Sequence, residues 1–391
     1  MLDRRQFLLA TAAGATTAFL KQIASADDSV DRRLAKIAPQ MREFVDAKQI
    51  SGAVTLVAHK GKTVHLEAVG EADVADHRPM TKDTLFGIAS MTKPITATAV
   101  MMLQDDRKLS IDDPVSKYIP KFKNAQLATG KPSREITIRD LMTHTSGLPG
   151  DQGVKDGSLE KTADEMAART LAFQPGSKWQ YSPGLTVCGR VIEIVSGASY
   201  ENFLKKRIFQ PLKMSESTFD LTPEQRRRLA VLYKPGADKK SIEPATPQLA
   251  GDGAPTYGPS GGLFSTAAEI VRFYQMILNG GELEGIRIVS RDAVAQMTRI
   301  QTGELVTGFT PGNGWGLGFC IVREPQEVSK MLSPGTFGHG GAWGTQCWVD
   351  PKREVIYLLM IQRRDFGNSD ASEIRGAFQE LAAESLFGRA Q

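Results

Sequence analysis

The chain has 391 residues, 41% hydrophobic and 24% charged, which excludes a disordered or collagen-like protein and leaves room for one large core or two smaller ones. Its net charge is +4: Arg4, Arg5 and Lys21 against Asp3 put +2 on residues 1–26, leaving +2 for the rest. A body so close to neutral gives no reason to expect nucleic acid as a partner.

The first residues carry a signal of their own. Asp3-Arg4-Arg5-Gln6-Phe7-Leu8-Leu9 runs into a small-residue apolar stretch, and Ala24-Ser25-Ala26 precedes Asp27-Asp28. This is the pattern of an arginine-pair (twin-arginine-type) export signal with an A-x-A cleavage site. Residues 10–20 have no polar face, which argues against an amphipathic helix of the fold. A signal peptide over residues 1–26 is therefore expected, with a mature protein in the periplasm or outside the cell. No later run reaches the roughly 18 apolar residues of a membrane span.

From Val30, the residues Leu34, Ile37, Met41, Phe44 and Val45 recur at helical spacing, with Pro39 expected to bend that helix. Two valine-rich runs, residues 52–58 and 63–69, flank His59-Lys60-Gly61-Lys62 and predict a hairpin. A third short strand, Thr84 to Ile88, leads to Ser90. From about Arg107 to Ala254 helices dominate, with start signals at Thr137, Thr162 and Thr222. Gly258 to Gly262 is glycine-rich, and a helix from Thr266 ends at Asn279-Gly280-Gly281. Strands return at Leu317 to Val322, Thr345 to Val349 and Val355 to Ile361, and a last helix covers Ser372 to Leu386. Strands at both ends with helices between them predict an α/β (α+β) protein. A discontinuous domain of residues 27–115 and 255–391 would hold a helical insertion of residues 116–254, with the active site in the seam. Cys188, Cys320 and Cys347 have no metal-ligand spacing and read as core residues.

Three segments carry chemistry. Ser90-Met91-Thr92-Lys93 follows a strand and opens a helix, so the amine three residues on faces the serine hydroxyl. A hydroxyl is a weak nucleophile until a nearby base takes its proton. Pro94 disfavours helical geometry at Lys93, so the first turn is expected to be irregular. Gln180-Tyr181-Ser182-Pro183 stands just before a helix with the stripe Leu185, Cys188, Ile192 and Val195. A tyrosine there projects into a cleft, where a lysine would lower its pKa and let it relay protons. Phe337-Gly338-His339-Gly340-Gly341-Ala342-Trp343-Gly344 brings a substrate close to the backbone, where a strand edge offers an N–H to an oxyanion. A second serine motif, Gly258-Pro259-Ser260-Gly261-Gly262, matches the G-x-S-x-G elbow. Asp252, Pro255 and Pro259 spoil the strand that such an elbow needs.

Together these segments resemble the serine β-lactamase and penicillin-binding-protein superfamily, most closely the family VIII carboxylesterases and class C β-lactamase-like hydrolases. Leu141-Met142-Thr143-His144-Thr145-Ser146-Gly147-Leu148-Pro149, Gly261-Gly262-Leu263-Phe264-Ser265-Thr266 and Gly314-Trp315-Gly316-Leu317-Gly318 add to the resemblance, which covers about residues 33 to 386. It implies a β-lactamase-like antiparallel sheet flanked by helices, with a mostly helical insertion. It also implies that Ser90 is acylated, that Lys93 takes its proton, and that Tyr181 protonates the leaving group and later activates water. His339, Gly340 and Gly341 would form the third box, with Trp343 beside it, and the Ser90 and Ala342 N–H groups would hold the oxyanion.

Two departures bear on substrate. Pro183 replaces an asparagine amide, and His339-Gly340 replaces the lysine and threonine that hold a substrate carboxylate. Both disfavour specialised penicillin hydrolysis, whereas a small carboxylic ester needs neither contact. The expectation is ester hydrolysis through a Ser90 acyl-enzyme with weak β-lactam turnover, no cofactor and no metal. The alternatives are a β-lactamase, a D-alanyl-D-alanine carboxypeptidase or D-amino-acid peptidase, and a non-catalytic cell-wall binding module.

Overall fold

The computed structural model describes residues 30–150, 158–238, 240–245 and 258–388, so the expected signal peptide lies outside the described residues. Helix α1 (Ile37–Asp46) buries Ile37, Met41 and Phe44 along one stripe. Pro39 does not bend it. The proline takes the third helical position, where a backbone N–H has no intrahelical acceptor to lose, and the interruption falls earlier, in a turn at Ala35 and Lys36.

Strands β1 (Gly52–His59) and β2 (Lys62–Asp73) form the expected hairpin. Its turn carries φ values of +50° at Lys60 and +75° at Gly61, the left-handed pair that suits the twist of the flanking strands. With β3 (Arg78–Pro79), β4 (Asn313–Trp315), β5 (Cys320–Val322), β6 (Phe337–Gly340), β7 (Gln346–Asp350) and β8 (Val355–Met360) they build one antiparallel sheet. Its order is β4-β5-β6-β7-β8-β1-β2-β3. The seam between β8 and β1 runs in register from Val54 opposite Met360 to His59 opposite Val355, so the two ends of the sequence meet inside the sheet.

Both faces of the sheet are covered, which is why β8 reads as an unbroken apolar run. On one face Val54, Leu56, Ile356, Leu358 and Met360 join the core of α2 (Thr92–Asp105), α5 (Gly184–Ser196) and α7 (Ala267–Leu278). On the other, Ala53, Val57, Tyr357, Leu359 and Trp348 pack with α1 and α8 (Glu373–Phe387). Truncating Leu358 or Leu359 to alanine should cost about 2–5 kcal/mol.

The helix signals are mostly correct. Thr137 and Thr222 close capping boxes with Asp140 and Gln225 and start α3 (Ile138–Met142) and α6 (Pro223–Arg228). Thr266 and Ser372 cap α7 and α8. Thr162 starts nothing, because Ser158 caps α4 (Leu159–Ala167) one turn earlier and Thr162 donates its hydroxyl back to the Ser158 carbonyl. The strand expected over Thr84 to Ile88 shrinks to Phe86–Gly87, which pairs with Phe264–Ser265 outside the main sheet. Leu317 to Val322 keeps only β5, since Gly318 turns at φ +75°. The glycine-rich run from Phe337 begins as an interior strand, β6. The three cysteines are buried and unpaired, in line with a core role.

Candidate active site

The nucleophile candidate sits on an abrupt turn. After Phe86–Gly87 the chain reaches Ala89 at φ +46°, passes through a 3₁₀ turn over Ala89–Met91 and enters α2. The Thr92 hydroxyl fastens this turn by donating to the Ala89 carbonyl at 2.7 Å. Pro94 takes the third position of α2, so the helix loses no hydrogen bond, and Lys93 before it is helical, contrary to the irregular first turn expected there; the 3₁₀ turn ends earlier, at Met91. Lys93 is 1% exposed. Its Nζ lies 3.2 Å from Ser90 Oγ and 2.7 Å from the Ser260 carbonyl oxygen. The Lys93 Nζ thus bridges the nucleophile turn and the segment before Phe264–Ser265. Ser260 itself is buried, shares its hydroxyl with Thr186 at 2.8 Å and lies within a turn with no strand leading directly into it, so it does not meet the demands of an elbow nucleophile.

Tyr181 reaches the same point from the far side. Lys93 Nζ stands 4.6 Å from the centre of its ring, close enough for a cation–π contact. The loop carrying it is clipped to His144. Gln180 N–H donates to the His144 carbonyl at 3.0 Å, and Ser182 N–H donates to His144 Nδ1 at 3.1 Å. The His144 ring lies 4.5 Å from that of Tyr181, tilted by 32°, and meets Trp315 edge-on at 5.1 Å. His144 adopts φ +61°, a left-handed conformation rare outside glycine, asparagine, aspartate and histidine. Burial, with help from the Lys93 charge, holds its pKa well below the ordinary value, so the ring is neutral.

The third wall is the end of β6. Its ladder to β5 stops at Gly338, and beyond it the backbone edge approaches the Ser90 turn. Thr345 Oγ1 donates to the Ile88 carbonyl at 3.1 Å, and Gly341 sits so close that a methyl there would come within 2.7 Å of the same oxygen. Ala342 follows, exposed, and the Trp343 ring lies over Gly87 and beside Ala89. His339 is buried, its Nδ1 2.6 Å from the Gly340 carbonyl. Burial and the Lys93 charge push its pKa down to about 3, so it supplies no cation. At Gly340, Asp370 Oδ1 fills the space a side chain would take and accepts from Gln346 Nε2 at 2.9 Å. The site therefore brings together Ser90, Lys93, Tyr181, His339 and the backbone at Gly341 and Ala342. Among the described residues no group of His, Cys, Asp and Glu is placed to hold a metal ion.

Residues 37–382 match the sequence model of the beta-lactamase family. The chain belongs to the beta-lactamase family. Esterase EstB of Burkholderia gladioli is 33% identical over 353 residues, covering 80% of this chain and 86% of that one. Penicillin-binding protein 4 of Amycolatopsis lactamdurans is 33% identical over 319 residues, 78% of each. Lovastatin esterase of Penicillium rubens is 31% identical over 362 residues, 81% of this chain and 90% of its own. The solved structure of EstCE1, described as a hydrolase with promiscuous acyltransferase activity, shares the fold with a TM-score of 0.79 at 23% identity. The match covers 93% of this chain and all of that one.

Members of the beta-lactamase family in this comparison are esterases and penicillin-binding proteins, and this chain is a serine hydrolase of that superfamily with esterase-like relatives. Two parts of the site have no sequence motif of their own. His144 lies within the Leu141 to Pro149 segment, and a histidine held at positive φ beside Tyr181 is visible only in three dimensions. The Ser260 carbonyl carries no side-chain signature at all.

Proposed function

We propose that this protein hydrolyses small uncharged carboxylic esters through an acyl-enzyme on Ser90. The observation that carries the reading is Lys93 Nζ, at 3.2 Å from Ser90 Oγ and 4.6 Å from the Tyr181 ring centre. In this scheme Ser90 Oγ attacks the ester carbonyl carbon while Lys93, as the free amine, takes the hydroxyl proton. The developing oxyanion is held by the Ser90 and Ala342 N–H groups. The bond to the alcohol oxygen breaks, Tyr181 gives that oxygen its proton, and Lys93 returns a proton to Tyr181. Water then attacks the acyl carbon, losing a proton to the same pair, and Ser90 regains its hydrogen as the acid departs.

The choice of ester rests on charge. A neutral His339 and a glycine at 340, with the Asp370 carboxylate behind it, offer a substrate carboxylate no partner. The relatives named as esterases support the same choice. A peptidase or β-lactamase reading draws on the relative named penicillin-binding protein 4, and is the second outcome to test.

Export is part of the proposal, supported by Arg4-Arg5 and the Ala24-Ser25-Ala26 site. N-terminal sequencing of protein secreted by an expressing host should begin at Asp27. Full-length protein confined to the cytoplasm would refute it.

The test of activity is intact-mass spectrometry of the protein and of Ser90→Ala after exposure to p-nitrophenyl butyrate, a chromogenic cephalosporin and a D-alanyl-D-alanine peptide. Rapid ester turnover with slow cephalosporin acylation, both lost in Ser90→Ala, is the expected result. Efficient peptide or cephalosporin turnover would replace the esterase reading, and no adduct with any of the three would leave a binding module.

A further inference from the structure

Most of the groups around the Tyr181 ring are sealed inside the protein. Lys93, His144 and Trp315 are all buried. Phe309 and Trp179 are not. Phe309 is 46% exposed and meets Tyr181 edge-on at 5.0 Å, and the partly exposed Trp179 lies 6.0 Å from Phe309 and 6.4 Å from Tyr181. Three aromatic rings in mutual contact thus form one surface that begins at Tyr181 and ends in solvent. Val306, 93% exposed, stands three residues before Phe309 on the same loop.

This surface is built rather than loose. Asn368 Nδ2 donates to the Phe309 carbonyl at 2.5 Å, Thr307 donates its hydroxyl to the Asn313 carbonyl at 3.0 Å, and Asn313 Nδ2 reaches Thr310 Oγ1. Beside it, Arg323 pairs with Glu304 at 3.1 Å. Leaving so much apolar side chain exposed has no folding benefit, since exposure forfeits the gain from burial.

We propose that Trp179, Tyr181 and Phe309 bind the alcohol portion of the ester, and that this surface selects esters of aromatic or alicyclic alcohols, with Phe309 as the specificity-determining residue. The inference rests on the hydrolase reading above. There Tyr181 hands its proton to the leaving alcohol oxygen, so that oxygen must sit at the Tyr181 hydroxyl. The remainder of the alcohol then extends past the ring along whatever apolar surface continues from it, and Phe309 and Trp179 provide that surface. Flat or ring-shaped groups gain most because edge-to-face contacts add to the area they bury. The acyl portion, held at Ser90, would not touch this wall.

The test compares esters of alkyl alcohols, so that leaving-group basicity stays similar. Benzyl and cyclohexylmethyl butyrate should exceed ethyl butyrate in kcat/KM by about tenfold or more, mainly through KM. Ethyl phenylacetate, with the ring on the acyl side, should show no such gain. Phe309→Ala should collapse the benzyl-to-ethyl ratio toward one, and Phe309→Tyr should keep it. A measurement on unaltered protein covers the case in which Phe309→Ala fails to fold. During hydrolysis of ethyl butyrate in equal concentrations of added methanol and benzyl alcohol, the acyl-enzyme should be captured about tenfold more often as the benzyl ester. In that step the alcohol oxygen joins the acyl carbon, its proton passes to the Tyr181 and Lys93 pair, and Ser90 is released. A ring preference on the acyl side, or a flat alcohol series in Ser90-dependent turnover, would overturn this inference alone. Absence of ester turnover and of any Ser90 adduct would overturn the hydrolase reading, and the mass measurement distinguishes the two.

Discussion

Replacing His144 by phenylalanine looks conservative at a helix-free, aromatic-lined position, yet one hydrogen bond and one backbone angle oppose it. Ser182 N–H donates to His144 Nδ1, and Ser182 is buried, so phenylalanine leaves that donor without an acceptor at a cost of about 1–3 kcal/mol. Residue 144 also stands at φ +61°, where an ordinary L side chain costs roughly 1–2 kcal/mol more, while asparagine tolerates it. His144→Phe should therefore lose about 2–5 kcal/mol of stability from these two sources together. Asparagine offers a carbonyl oxygen in place of Nδ1 but gives up the ring contacts with Tyr181, Trp315 and Trp179, about 0.5–1.5 kcal/mol for each well-formed pair, so kcat rather than stability separates the two variants. The assay is urea unfolding followed by tryptophan fluorescence, with kcat measured beside it. Both variants should unfold at lower urea than wild type, and His144→Asn should keep the higher kcat because it alone retains an acceptor for the Ser182 N–H. A kcat of His144→Phe equal to or above that of His144→Asn would refute the claim that His144 acts as the acceptor that fixes the Tyr181 loop.

Lys93→Ala and Tyr181→Phe should each lower the rate of ester hydrolysis by about 10²–10⁴ if they act as base and acid, and wild-type turnover in the lysine variant would sink its assignment. Gly341→Ala would bring a methyl to 2.1 Å from Thr345 Oγ1 and 2.7 Å from the Ile88 carbonyl, forcing the end of β6 away from the Ser90 turn. Its kcat should fall by about 10²–10³, the loss seen when an oxyanion donor is removed, with the far-ultraviolet circular dichroism preserved. Stability should decline as the pH falls from 6.5 toward 4. Burial lowers His65 to about 4 and His339 to about 3, and holds His144 well below 6.5, so the unfolded chain takes up protons there that the folded one refuses. Each histidine contributes at most about 1.4 kcal/mol per pH unit, and urea midpoints that stay level from pH 7 to pH 5 would show that these rings protonate in place.

What could be read beforehand follows from how local each feature is. Ser90 and Lys93 are three residues apart on one turn, so their meeting follows from helical geometry alone, and the same locality exposed the capping boxes at Thr137 and Thr222. The approach of Tyr181 and His339 to Lys93 depends on chain segments far apart in sequence, and only the resemblance to a known family anticipated it. Phe309 and Trp179 had no motif, because an aromatic surface is defined by neighbours rather than spacing. Strand β6 was hidden by its composition, since His339 and three nearby glycines look like a loop until β5 and β7 bury them. Thr162 failed as a helix start because the motif cannot tell a cap from a second-turn threonine when a serine stands one turn earlier.

The seam between β1 and β8 has a consequence for when the protein becomes active. Val54 finds its partner Met360 only after about 300 further residues have been synthesised, and β6, which carries His339, is made almost as far behind it. Pairings so distant in sequence are slow to form, because loop closure must precede any reward from the contacts. The β1 and β2 hairpin and the Ser90 helix emerge early but have no complete sheet to rest on. Nascent chains should therefore remain catalytically silent until β6, β7 and β8 have emerged from the ribosome, because only then can the nucleophile and its oxyanion support come together.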